Sequence, residues 1–200
     1  MNKMLKMDIT QLFYQRYDPL YNFWLAGLWE LVPHELMRPR PHPKVNSIAW
    51  NLWHLARVED AGLNRFVVDG VQVLDEAPWM ERMNLPWRHH GSNMTFAEVD
   101  ELSQRIDLTA LQAYSDAVQA RTRQIVSGIT LDDLDAVMDE LRLRVIIIDE
   151  GLAHSDPQGF IQNYLSWSAG KCLFNFCLTH PYQHVGEIGV IASLLGVEFE

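Results

Sequence analysis

Residues 168–196 read SAGKCLFNFCLTHPYQHVGEIGVIASLLG, and they read as the last long helix of the chain. His180 and His184 stand four residues apart, with Glu187 one turn further on. At about 100° per residue these three side chains share one stripe with the apolar Cys177, Ile188, Ile191 and Leu195. Two imidazoles and a carboxylate therefore point where a core belongs. Buried polar groups are costly without partners, and a metal ion is the partner this pattern suggests. Pro181 lacks an N–H and crowds the carbonyl of Cys177, so it predicts either a kink or a fresh helical start near Thr179.

Working outward, a third ligand is sought on another helix. Residues 46–69 form a second helix, capped by Asn46 or Ser47 and ended by Gly70. Trp50, His54, Val58 and Ala61 follow one another at helical spacing, which places His54 on the core face. Glu59 and Asp60 are expected in solvent. Arg65 continues the stripe of His54, either as an ion-pair partner or against an anionic substrate group. Residues 8–32 read as a first helix, with Leu12, Phe13, Leu20, Phe23, Leu28 and Leu31 as its apolar surface. Pro19 within it marks a kink or a true first turn. Residues 33–45 hold four prolines and are expected to run extended, with His34 and His42 solvated.

Residues 71–94 form a long irregular excursion, a length often seen in lids over functional sites. His89 and His90 within it are adjacent, which does not suit one ion bound through helix geometry. Thr95 with Glu98 is a capping-box pattern that opens a short helix. Residues 107–129 form a third long helix with a seam through Leu111, Ser115, Val118, Thr122, Ile125 and Ile129. Thr130 with Asp133 starts another helix. Residues 141–148 suit a strand or a short helix, with helix preferred in helical surroundings. SDPQG (155–159) reads as a turn, and FIQNYLSW as a helical turn or two.

Two hundred residues, 48% of them hydrophobic, suit one domain with a sizeable core. The formal charge of −10 and the lack of a basic cluster argue against a nucleic-acid surface or an anionic membrane. No apolar run follows the lysines of MNKMLKMDITQLF as in a signal peptide, and none approaches a membrane-spanning length. A cytoplasmic location is the expectation. Cys172 and Cys177 lie five apart on different faces of one helix, so both are expected as small buried apolar residues. Seven tryptophans suit core, pocket or interface, and bundles with Trp-rich loops often pair, which leaves a homodimer open.

The segments SIAWNLWHLARVED and THPYQHVGEIGVIASLLG together resemble the DinB/YfiT-like family. The resemblance runs from about residue 8 to 196. It implies an all-α, four-helix up-down-down-up bundle with a long crossover, which either the Pro-rich 33–45 segment or the 71–94 excursion between helices 2 and 3 fits; residues 1–200 are read as a single domain. It implies His54, His180 and His184 as metal ligands. In that family some members are transferases or isomerases using low-molecular-weight thiols. A related bundle domain serves sulfoxide synthases, whose glutamate stands two residues after the second histidine. Here Glu187 stands three after His184 and no second domain is expected, so that iron-oxygen chemistry is discounted.

Three neutral imidazoles leave coordination positions open, the pattern of a reactive rather than a closed structural metal. The expectation is a metal-dependent enzyme holding zinc, nickel or iron, with a small-molecule substrate that includes a thiol. Glu187 is the candidate catalytic residue, as general base, with a fourth-ligand role or a hydrogen bond to an imidazole as the other readings. A hydrolase would use the same ion on water. The alternative class is a non-catalytic metal- or small-molecule-binding bundle, and a third reading is a polar core network of the histidines without metal.

Overall fold

In the computed structural model, which describes residues 8–198, the helix Ile48–Ala61 runs through the middle of the protein with all of its residues buried. Ser47 starts it, its hydroxyl accepting the Trp50 N–H at 3.0 Å. Around this central helix pack Leu108–Val126, His180–Leu194 and Phe96–Arg105. Every regular element among the described residues is helical, and the only β pairing there is an isolated bridge between Val137 and Ser168. No helix among them is long and apolar enough to cross a membrane. The opening residues, read above for a leader, lie outside the described residues.

Capping chemistry places the helix starts where the side chains predict. Thr95 and Glu98 form a reciprocal box that opens Phe96–Arg105, and Thr130 and Asp133 form another that opens Leu131–Asp135. Asp107 caps Leu108–Val126, and Ser168 caps Ala169–Phe174. The 141–148 segment is helical, as Glu140–Arg144 followed by a turn of π-helix at Val145–Asp149. SDPQG is not a free turn. Asp156 accepts the Gly159 N–H and Pro157 occupies the first turn of a helix, Pro157–Tyr164. The Pro-rich 33–45 segment carries one short helical turn, His34–Met37, with Met37 buried, and His34 and His42 are exposed as expected.

The long helices are not uniformly α. A π-helical turn at Leu20–Leu25 follows Pro19, another at Gly62–Val67 extends the central helix, and a third at Asn175–Thr179 precedes Pro181. Neither proline breaks its helix. Thr179 and His180 keep right-handed helical backbone angles, and a locally wider turn stands in for the predicted kink or new start. In the first helix Phe13, Leu20 and Leu28 are buried, whereas Leu12, Phe23 and Leu31 face out. Tyr17, Tyr21 and Leu25 fill the inner face in their place.

Glu59 and Asp60 correct the expectation of solvated acids: they are 1% and 0% exposed. The central helix is enclosed on all sides, so it has no solvent face to offer them. Glu59 accepts hydrogen bonds from Tyr17, Tyr21 and Thr122. Asp60 accepts from Tyr114 at 2.6 Å and pairs with the fully buried Arg57 at 3.1 Å. It also accepts the backbone N–H groups of Val73 and Leu74, and so ties the start of the excursion to the central helix. Arg57 fastens the far end by donating to the carbonyl of Arg88 at 2.8 Å. The excursion therefore lies pinned along the helix, and its tryptophans turn inward, Trp79 buried and Trp87 half-buried.

Two hydrophobic cores result. The larger joins the first helix, the central helix, Leu108–Val126 and the last helix. The smaller gathers Val58, Phe66, Leu143, Ile146, Ile161 and Phe176 under residues 138–165.

Candidate metal centre

His54 lies near the middle of the central helix, 3% exposed, with Trp50 stacked on its ring at 4.6 Å between centroids. His180 and His184 face it from the first turns of the last helix. Nε2 of His180 is 3.1 Å from Nε2 of His54 and 3.1 Å from Nε2 of His184. Among the described residues this is the group of histidine, cysteine and acidic side chains whose ligand atoms converge, all within 4.8 Å of one another.

The outer ring nitrogens decide what the inner ones can do. His54 donates from Nδ1 to the backbone carbonyl of His90. His184 donates from Nδ1 to Oδ1 of Asn51 at 2.7 Å, with Oε2 of Glu187 at 2.9 Å. Asn51 in turn donates its amide N–H to the carbonyl of Ser47, which turns its oxygen toward His184. A neutral imidazole with its proton on Nδ1 carries a lone pair on Nε2. Two such lone pairs thus meet the third ring. A proton on Nε2 of His180 satisfies one of them and leaves the other facing nothing. A cation satisfies all three.

The spacing agrees with that reading. Zinc–imidazole bonds of about 2.0–2.1 Å in a tetrahedron put neighbouring nitrogens about 3.3 Å apart. Nδ1 of His180 is buried with no hydrogen-bond partner, so nothing holds that ring against turning its lone pair to an ion. Burial pushes the His54 imidazole well below its usual range, with His180 and His184 adding to the effect. Burial takes His180 down to about 3. His184 is also lowered by burial, opposed by Glu187. The rings are therefore neutral near pH 7, the form that binds metal.

The residues present fit a divalent cation held by His54, His180 and His184. Glu187 reaches the outer nitrogen of His184, the side of the ring away from the cluster. Cys177 is buried elsewhere, near Glu59, where burial pushes its thiol well up. Arg65 is committed to Glu150 and Asp69, each at 2.6 Å. His89 and His90 supply no ring to the cluster, yet the His90 backbone orients His54.

Sequence reasoning passed over Asn51 and the His90 carbonyl. Asn51 did leave a signal: a buried asparagine three residues before His54, on the same side of the helix. A backbone carbonyl leaves none.

Beside His180 opens a cleft of about 150 Å³. Two of the π-helical turns meet there, Gly62 and Phe66 from one, Asn175 and Phe176 from the other. Such turns recur at functional sites.

The model for the DinB superfamily matches residues 25–188, a span that holds all three histidines. Among solved structures, the crystal structure of the conserved protein of locus from Enterococcus faecalis has a similar fold, with a TM-score of 0.68. The alignment covers 94% of this chain and 98% of that one at 17% identity, a likeness of fold alone. No curated protein matches. A family match over most of the chain, with converging histidines at its centre, places this protein in the DinB superfamily.

Proposed function

We propose that the protein is a metal-dependent enzyme whose His54, His180 and His184 hold one divalent ion, zinc, nickel or iron, and that it acts on a small thiol. The observation that carries this reading is the set of three inward Nε2 atoms, two of them fixed as lone pairs by hydrogen bonds on Nδ1. Three histidines, with no fourth ligand in the cluster among the described residues, favour an open, reactive centre over a closed structural one. When bound, the ion supplies Lewis acidity that holds a thiol as thiolate at neutral pH.

The chain's own groups do the rest. Asn51 and the His90 carbonyl fix the ring planes of His184 and His54. Glu187 adds a second acceptor beside the Nδ1–H of His184. The cleft beside His180 gives a small molecule room next to the centre. The same reading includes the up-down-down-up bundle order, which the packing of the central helix between the third long helix and the last supports.

Elemental analysis of the untagged protein tests it, run beside a His54→Ala, His180→Ala double variant. The expected result is about one ion per chain, lost in the folded variant. A protein that retains no metal after reloading overturns the proposal.

A further inference from the structure

The cleft beside His180 has a composition of its own. Its walls are mostly carbon: Val58, Phe66, Leu152, Tyr164 and Phe176. Among the described residues no lysine, arginine, aspartate or glutamate lines it, in a chain with 42 such residues. Its polar side-chain groups are those of Ser92 and Asn175, the Tyr164 hydroxyl and the two imidazoles of His90 and His180.

His90 is the informative one. It is 6% exposed and packs edge-on to Phe160, with ring centroids 5.2 Å apart. Its Nδ1 accepts the backbone N–H of Ser92 at 3.2 Å. A nitrogen that accepts an N–H carries no proton, so the ring proton sits on Nε2. A charged imidazolium would set two N–H groups against each other, so this geometry also keeps the ring uncharged. No described group meets that Nε2–H. That Nε2 is not sealed away inside the protein, and His90 lines the cleft together with the candidate metal ligand His180, so the N–H is open to a molecule bound there.

Resting on the metal-centre reading above, we propose that this cleft binds a small, uncharged, mainly apolar molecule that carries one hydrogen-bond acceptor, and that His90 is the specificity residue that recognises the acceptor through its Nε2–H. The molecule presents its metal-binding atom on the His180 side. An anionic or zwitterionic thiol finds no counter-charge in these walls and leaves its own charged groups desolvated. At about 150 Å³ the space suits a body of several heavy atoms, not a peptide or a sugar conjugate.

Three probes separate the contributions: methyl thioglycolate, uncharged with an ester acceptor; butanethiol, uncharged without one; and glutathione, charged and large. Binding to cobalt-loaded protein is followed by the thiolate-to-cobalt absorption, and independently by saturation-transfer NMR. The ester is expected to bind about fivefold or more tighter than butanethiol, as one hydrogen bond gives, and at least tenfold tighter than glutathione. In His90→Leu the ester's advantage over butanethiol disappears. His90→Gln, which keeps an N–H near the same place, restores it. Glutathione binding as tightly as the ester overturns the proposal, and so does an unchanged preference in His90→Leu. A protein that takes up no cobalt overturns the metal reading alone, since the NMR comparison of the three probes still decides the cleft.

Discussion

Glu59 shows what a single enclosed residue does to the protein's response to pH. Desolvation lifts its carboxyl from 4.5 to about 7, against hydrogen bonds from Thr122 and Tyr17 that lower it. The folded chain therefore holds a proton that the unfolded chain releases between about pH 4.5 and 7. Stability falls as pH rises through that window, by on the order of 3 kcal/mol from this group. In Glu59→Gln the loss is expected to flatten, and thermal melts at pH 5 and pH 7 check it. An equal slope in variant and wild type would show that Glu59 is buried as a carboxylate. Nothing in the sequence around Glu59 marks it as buried, because the four side chains that enclose it and Asp60, Tyr17, Tyr21, Tyr114 and Thr122, come from other helices. His54 was legible by contrast, since its own neighbours Trp50, Val58 and Ala61 set the stripe.

At the scale of the helix, the starts are written in the chain and the π-helical turns are not. Ser47, Thr95, Asp107, Thr130 and Ser168 each cap a helix by local chemistry that a few residues define. A π turn adds one residue without changing composition, so only the drift of the buried face betrays it. Gly62 opens the π turn of the central helix, and a methyl there would overlap Cβ, Cγ and a ring carbon of Phe176. In an ordinary helix Gly→Ala is worth up to about 1 kcal/mol of stabilisation. Gly62→Ala is expected to go the other way, losing about 1–3 kcal/mol to overpacking. Urea unfolding decides the sign, and a raised midpoint would mean that Phe176 moves aside freely.

Across the whole molecule, the centre joins parts that sequence keeps far apart: the central helix, the last helix and, through the His90 carbonyl, the excursion. An ion bound only by the folded chain stabilises it by about 2.7 kcal/mol at a hundredfold excess over its dissociation constant. For a chain of this size that is roughly 5–10 °C in melting temperature. Chelation is expected to lower the melt by that amount and to leave the His54→Ala, His180→Ala variant unmoved. An equal shift in both would point to metal bound elsewhere. The π turn at Asn175–Thr179 carries a further consequence, best stated in terms of the gene. That turn is one codon more than a regular helix needs. Deleting a single codon there would leave the reading frame intact and the helix more regular. Because the wider turn absorbs that residue, His180–Leu194 would keep nearly its present rotation against Ala169–Phe174, with both histidines still facing His54. At this locus one codon can be lost without moving the centre, whereas a codon lost between His180 and His184 would break their spacing of four.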